Sequence, residues 1–365
     1  MKNPSMSSHL SWKIGIEIEL MAPTGVSRRD LACRTAENLG GIVSRFFHPD
    51  SEPAKAEGTE IFENLTPGFK VSNKSGEWVA SFVDDLTLQF GLNRGAKPKA
   101  GWYRIVSDDN RIIRLIEEQC NAEDSLQEVL DPLAKLFDTK VEKLDGQVMR
   151  VRDKSNVSVA LAAPLPGERE RPCEIVTAPI ETGHKTKLGS LLKHAKALGF
   201  TVPKESATHI HFDAKPLRSA QFVSNFVILV SRFHTGLRTL MDTNPACMRL
   251  GPFDPEFIQV VGRPEFKHLD WEDMCKILMP FKLTKYCDYN LINMINQTEE
   301  KDTLEIRILP GLMDVEKIIK YARFFEALLH YSLKDITKIP TSLKSLICSL
   351  DLTQIEQNEW LKGCH

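Results

Sequence analysis

Lys13-Ile14-Gly15-Ile16-Glu17-Ile18-Glu19-Leu20 alternates strictly between apolar positions and polar or small ones. On a strand, side chains two apart point to one face. Ile14, Ile16, Ile18 and Leu20 therefore form an apolar face, and Glu17 and Glu19 stand together on the other. The rise per residue separates those two positions by about 7 Å. By itself, such an acidic pair is ordinary on a solvated sheet face. Its interest comes from what recurs downstream.

Three later strand-like segments also carry polar, metal-competent residues inside apolar runs. Glu174 lies in Cys173-Glu174-Ile175-Val176-Thr177-Ala178-Pro179, His209 and His211 flank Ile210, and Glu305 and Arg307 flank Ile306. All three i, i+2 pairs, Glu17/Glu19 included, have isoleucine between them, a residue suited to packing the opposite face. Glutamates gathered in one cleft would repel one another and raise a carboxyl pKa unless cations compensate. Carboxylate oxygens suit Mg2+ or Mn2+, and imidazole is compatible with Mn2+. The planar fork of Arg307 suits recognition of phosphate oxygens.

The rest of the chain frames these strands. At 365 residues it can bury a large core, and a formal net charge of -2 argues against nucleic-acid binding driven by bulk electrostatics. Eight cysteines (Cys33, Cys120, Cys173, Cys247, Cys275, Cys287, Cys348, Cys364) are scattered without a C-x-x-C pair, which fits reduced structural thiols. Neither a signal-peptide-like stretch nor a membrane-length apolar run is present, so the expected location is cytoplasmic, with no membrane partner. There is no H-E-x-x-H, G-x-S-x-G, Walker or dinucleotide fingerprint either.

Ser27 predicts a helix start and Gly40-Gly41 its end near Leu39. Residues 48–76 read as a long loop, and related strands beginning near Trp78 and Trp102 flank a turn at 91–101. A helix is expected over 123–137, then strands at 147–152, 156–163 and 173–178, the last two forming a hairpin across 164–172. Helix 184–198, strand 208–213 and one long helix over 217–241 follow. Further helices are expected at 254–261, 270–279 and 314–332, with strand 303–309 before the last. Hairpin-clustered strands with helices between them predict an α+β class on a mainly antiparallel sheet, not a doubly wound parallel one.

The ordered series Gly15-x-Glu17-x-Glu19, Glu174-Ile-Val-Thr-Ala-Pro179, Thr208-His209-Ile-His211 and Thr303-Leu-Glu305-Ile-Arg307 resembles the amidoligase family, carboxylate–amine ligases related to glutamine synthetase and glutamate–cysteine ligase. The resemblance implies one glutamine-synthetase-like catalytic domain over 13–332, with a curved sheet and helices packed on one side. An irregular insertion spans about 48–150, and 333–365 forms a helical appendage. It also implies ATP and two or more Mg2+ or Mn2+ ions. Glu17, Glu19, Glu174, His209 and Glu305 would be metal or nucleotide-site residues, and His211 a ligand or the neighbour that orients one. Arg307 would act with Glu305 in catalysis, stabilising the transferred phosphoryl group. Arg249 follows the long helix where a phosphate- or substrate-binding arginine would fit, and Asn290 and Asn293 precede the Glu305 strand. For an expected acidic motif, Asp153 competes with Asp84-Asp85 and Asp108-Asp109. The implied reaction activates a carboxylate with ATP and joins it to an amine, with glutamate or a glutamyl compound among the candidate partners. A phosphotransferase and a non-catalytic metal- or partner-binding protein remain as other readings. The substrates and the oligomeric state stay open at this level.

Overall fold

A computed structural model describes residues 10–51, 63–247, 249–281, 283–298 and 301–364. The start of the polar N-terminal stretch and residues 52–62 of the expected loop lie outside the described residues. In chain order the chain forms β1 (Ile14–Met21), α1 (Arg28–Leu39), β2 (Ile42–Ser51), β3 (Glu63–Ser72), β4 (Trp78–Val83), β5 (Tyr103–Val106), α2 (Asn110–Gln119) and α3 (Leu126–Leu136). Next come β6 (Glu142–Lys143), β7 (Met149–Arg152), β8 (Ser158–Pro164), β9 (Pro172–Thr177), α4 (His184–Ala197), β10 (Ala207–Asp213), α5 (Ala220–Arg232) and α6 (His234–Leu240). The remainder is α7 (Pro255–Val261), α8 (Trp271–Leu278), β11 (Tyr289–Asn290), α9 (Ile292–Ile295), β12 (Thr303–Pro310), α10 (Val315–Ser332), α11 (Leu343–Ser349) and α12 (Gln354–Lys362). The result is a mixed α/β chain whose strands pair largely antiparallel. Among the described residues no helix is long and apolar enough to cross a membrane.

The chain divides into two compact units. The first comprises Met1–Glu17, Pro179–Gly189 and Ser206–His365, and the second Ile18–Ala178 and Ser190–Glu205. In the first unit, the strands run in the order β11-β12-β10-β1. Ile14 and Ile16 of β1, Ile210 and Phe212 of β10, and Ile306 and Ile308 of β12 are fully or almost fully buried. An aromatic core lies behind β11. Phe222 stacks on Phe226, and Phe226 and Phe325 meet the Tyr289 ring edge-on. Large rings in such pairs add directional preference to area burial, which locates β11 firmly against α5 and α10. The N-terminal segment is tied down as well: buried Glu326 accepts the Ser11 and Trp12 backbone N–H groups, each at 2.8 Å.

In the second unit the strand order is β9-β4-β3-β5-β8-β7-β6, with β2 paired to β3 along its length from Ile42↔Ser72 to Ser51↔Glu63. The described residues of the loop expected over 48–76 are therefore mostly strand, in a long antiparallel pair. Its prolines mislead, because Pro49 and Pro67 both sit in strands, and among the described residues β2 is paired only on its β3 side. The irregular stretch also contains a helix not anticipated from the sequence, α2. Ile112, Ile113 and Ile116 of α2 bury with Val129, Leu130 and Leu133 of α3 against Leu65, Ile105 and Val151 of the sheet.

Two other expectations are corrected. Strands β8 and β9 do not form a hairpin: β8 pairs with β5 and β7, and β9 pairs with β4. The segment between them is an anchor instead of a turn. Arg169 donates to the Leu88 and Asp85 carbonyls and to Asp84 Oδ1, and Arg171 donates to the carbonyls of Ala22 and Gly91. The single helix expected over 217–241 is broken at Phe233, where φ is -104° and ψ 18°. Neither proline nor glycine stands at that joint. The break coincides with the place where His234 and Arg238 reach Asp288.

Helix α1 follows its sequence signals closely. Ser27 and Asp30 form a capping box, and Gly40 closes the helix at φ 59°, a left-handed conformation that glycine adopts without a steric cost. The next residue is under a different constraint. A Cβ on Gly41 would lie 1.9 Å from the Ser72 carbonyl oxygen, a backbone atom held in the β2–β3 ladder. Gly41→Ala is expected to cost at least about 1–3 kcal/mol, the usual range for overpacking, because neither side can retreat cheaply. Thermal unfolding of the variant checks this, and a melting temperature equal to that of the parent would contradict it.

Candidate functional site

Three neighbouring strands of the first unit place polar side chains in a row. His211 on β10 stands directly opposite Glu305 on β12, and Asn290 on β11 stands opposite the same glutamate. Directly opposed residues on adjacent strands lie close enough for their side chains to interact. Glu305 thus has a histidine on one side and an amide on the other. Register between β10 and β12 then shifts: Ile210 faces Ile306, whereas Thr208 faces Leu309. Arg307 and Ile308 together stand opposite His209, a local bulge of the kind that re-aims side chains.

The side chains converge. His211 Nε2 lies 3.1 Å from Glu17 Oε1 and 3.9 Å from Glu305 Oε1. His209 Nδ1 lies 3.1 Å from Glu17 Oε2 and 3.4 Å from Glu305 Oε1. Arg307 Nη1 donates to Glu305 Oε1 at 2.5 Å, and Asn290 Nδ2 donates to Glu305 Oε2 at 2.8 Å. Glu305 is therefore gripped at both oxygens. His209, Glu305 and Arg307 are buried, while Glu17 and His211 are half-buried.

The charges of the cluster depend on one another. Burial alone would push the Glu17 carboxyl up, yet the imidazoles of His211 and His209 hold it well below the usual carboxylate range. Burial acts the same way on Glu305. Arg307, His211 and His209 overcome it and bring the carboxyl down, against repulsion from Glu17. On His211, burial opposes the charged ring, but Glu17 and Glu305 raise its pKa. The imidazoles and Arg307 already compensate the buried carboxylates, so a cation would take its place among them as the imidazoles give up their protons. Glu17, His211 and Glu305 each offer a ligand atom, and these atoms lie within 4.8 Å of one another.

Other candidates are placed as follows. Glu19 is buried on β1 and Glu174 is half-buried on β9 opposite Val83, both in the second unit. The Arg249 guanidinium lies over the Tyr286 ring at 5.3 Å. Among the competing aspartates, Asp84 receives Arg169, Asp109 caps α2, and Asp153 accepts the Val157 N–H across the β7–β8 turn. Each of these has a local structural role. A supporting group not singled out from the sequence is Asp288, whose carboxylate takes a bidentate pair from Arg238 at 2.8 and 2.6 Å. Its backbone carbonyl accepts the Arg307 N–H at 2.9 Å, so α6 is tied to the strand that carries the site. No spacing rule links Asp288 to Arg238, fifty residues away, and only the fold brings them together.

Residues 10–329 match the family described as "Putative amidoligase enzyme". No curated protein and no solved structure matches the chain significantly. The matched stretch begins before β1 and ends inside α10, so it contains all four polar strands and the converging cluster. The chain belongs to the amidoligase family, a group named for ligases that form amide bonds.

Proposed function

We propose that the protein is a cytoplasmic ATP-dependent carboxylate–amine ligase built on a glutamine-synthetase-like sheet. The observation that carries this reading is the convergence of Glu17, His211 and Glu305 beside Arg307, in a chain of the amidoligase family. The donor set fits a divalent ion: two carboxylates and an imidazole gather their ligand atoms, with His211 Nε2 buried among them. In this reading Glu17, His211 and Glu305 hold Mg2+ or Mn2+, and His209, 3.1 Å from Glu17, stands beside them. Such ions supply charge neutralisation for nucleotide phosphates.

The chain's own residues then position and neutralise. Arg307, held on Glu305, presents a fixed guanidinium to the transferred phosphoryl oxygens, and Arg249 serves the nucleotide or substrate side. A substrate carboxylate oxygen attacks the γ-phosphorus of ATP, ADP leaves, and an acyl phosphate results. The amine nitrogen attacks the acyl carbon, phosphate leaves, and the nitrogen gives up a proton to complete an amide or isopeptide bond. Phosphoryl transfer of this kind asks for alignment and charge stabilisation more than for a protein nucleophile. Glutamate or a glutamyl compound is the first candidate for one partner.

With Mg2+ or Mn2+, purified protein is expected to release ADP and phosphate only when a carboxylate and an amine are supplied together. Candidate amino acids are screened in pairs by coupled ADP detection and mass spectrometry of the product. A stable phosphorylated product without amide would identify a phosphotransferase instead. If calorimetry finds no binding of ATP with either metal, the ligase reading is lost.

A further inference from the structure

His211 has two ring nitrogens with different surroundings. Nε2 faces Glu17 Oε1 at 3.1 Å and Glu305 Oε1 at 3.9 Å, while Nδ1 lies 3.1 Å from the hydroxyl of Thr303. Thr303 opens β12 two residues before Glu305 and stands opposite Asp213, so its side chain reaches the ring from the neighbouring strand. Its hydroxyl also has the Lys301 carbonyl 3.5 Å away, a direction in which its own proton can point. A hydroxyl that donates elsewhere keeps its lone pairs for an incoming N–H.

We propose that Thr303 is a positioning residue: its hydroxyl accepts the Nδ1–H of His211 and so fixes the ring with Nε2 turned towards Glu17 and Glu305. An imidazole binds a metal through a nitrogen lone pair. Which nitrogen is available is decided by the hydrogen bond that the other one makes. With Nδ1–H engaged, Nε2 is the nitrogen left to offer a lone pair, and it is the one among the carboxylates. A hydroxyl suits the task because it can turn: it donates to Nδ1 when the proton sits on Nε2 and accepts when a cation displaces that proton. A carboxylate in the same place would add another negative charge to a cluster already rich in them. The consequence for metal affinity rests on the cation reading given under Proposed function.

Thr303→Val keeps the branched shape on a strand and removes only the hydroxyl, and Thr303→Ser returns it. Two readouts on the intact protein are expected to move. In Mn2+ titrations followed by electron paramagnetic resonance, the Kd of Thr303→Val rises about tenfold or more, as for loss of other groups that orient a ligand, and Thr303→Ser restores the parent value. In metal-free protein, the nitrogen NMR resonance of His211 Nδ1 shifts in Thr303→Val and returns in Thr303→Ser, with both variants melting like the parent. An unmoved Nδ1 resonance overturns the proposal, as does failure of Thr303→Ser to rescue. If the parent binds no Mn2+ at all, the cation reading falls, and the Nδ1 resonance alone then decides for or against Thr303.

Discussion

Replacing Glu305 with glutamine is expected to lower ADP formation by about a thousandfold, equivalent to about 4 kcal/mol of lost transition-state stabilisation. Two effects combine. The substitution deletes a charge from the three-residue donor set, so a cation held there loses one anionic ligand. It also breaks the grip on the side chain. Glu305 accepts from Arg307 at one oxygen and from Asn290 at the other. A glutamine has only one oxygen to offer. Whichever way its amide is turned, an NH2 group must face either a guanidinium or an amide donor, leaving a buried donor without an acceptor, at a cost of about 1–3 kcal/mol. Steady-state ADP release together with Mn2+ titration separates the two effects. Weak Mn2+ binding with a folded protein supports the assignment of Glu305 to the donor set. Turnover within about tenfold of the parent would remove Glu305 from any catalytic role.

The largest stability loss is expected at a buried arginine in the second unit. Arg28→Met should destabilise the protein by about 3–5 kcal/mol, the range seen when one member of a buried charged network is removed. The Arg28 side chain is fully buried. It donates to the carbonyls of Pro67, Arg169 and Pro172, lies 3.8 Å from Asp84 Oδ2, and sits over the Trp102 ring at 4.6 Å. Burial lowers its pKa, and Asp84 is the main group that supports its charge, against repulsion from Arg169. Methionine fills the volume but satisfies none of the three carbonyls. At about 2–4 °C per kcal/mol for a unit of this size, the melting temperature should fall by roughly 6–20 °C. Calorimetry of the purified variant reads this directly. A drop of a degree or less would mean that water replaces the guanidinium at all three carbonyls.

Much of the first strand is legible in its residue pattern. Alternation in 13–20 assigns Ile14, Ile16 and Ile18 to a buried face, since the two-residue period is a local property of extended backbone. Ser27 and Gly40 mark the ends of α1 for equally local reasons, a side-chain cap at one end and a left-handed residue at the other. Other elements differ from their sequence reading because local signals are overruled at a distance. Prolines and polar residues in 48–76 suggest a loop, but the ten-residue pairing of β2 with β3 holds its described strand residues extended. The stretch 164–172 looks like a hairpin turn, yet Arg169 and Arg171 bind carbonyls some eighty and more residues away.

The sequence by itself determined which residues alternate on which strands, where α1 starts and stops, and which family the chain joins. All of these follow from short-range geometry or from an ordered series of motifs. Only the tertiary structure decided what stands beside Glu305. Register between β10, β11 and β12 sets His211 and Asn290 on either side of it, and the bulge opposite His209 sets the aim of Arg307. Register is a long-range quantity, settled by which faces are buried and by where β11 is pinned through Tyr289 and Asp288. No spacing within one strand can report it.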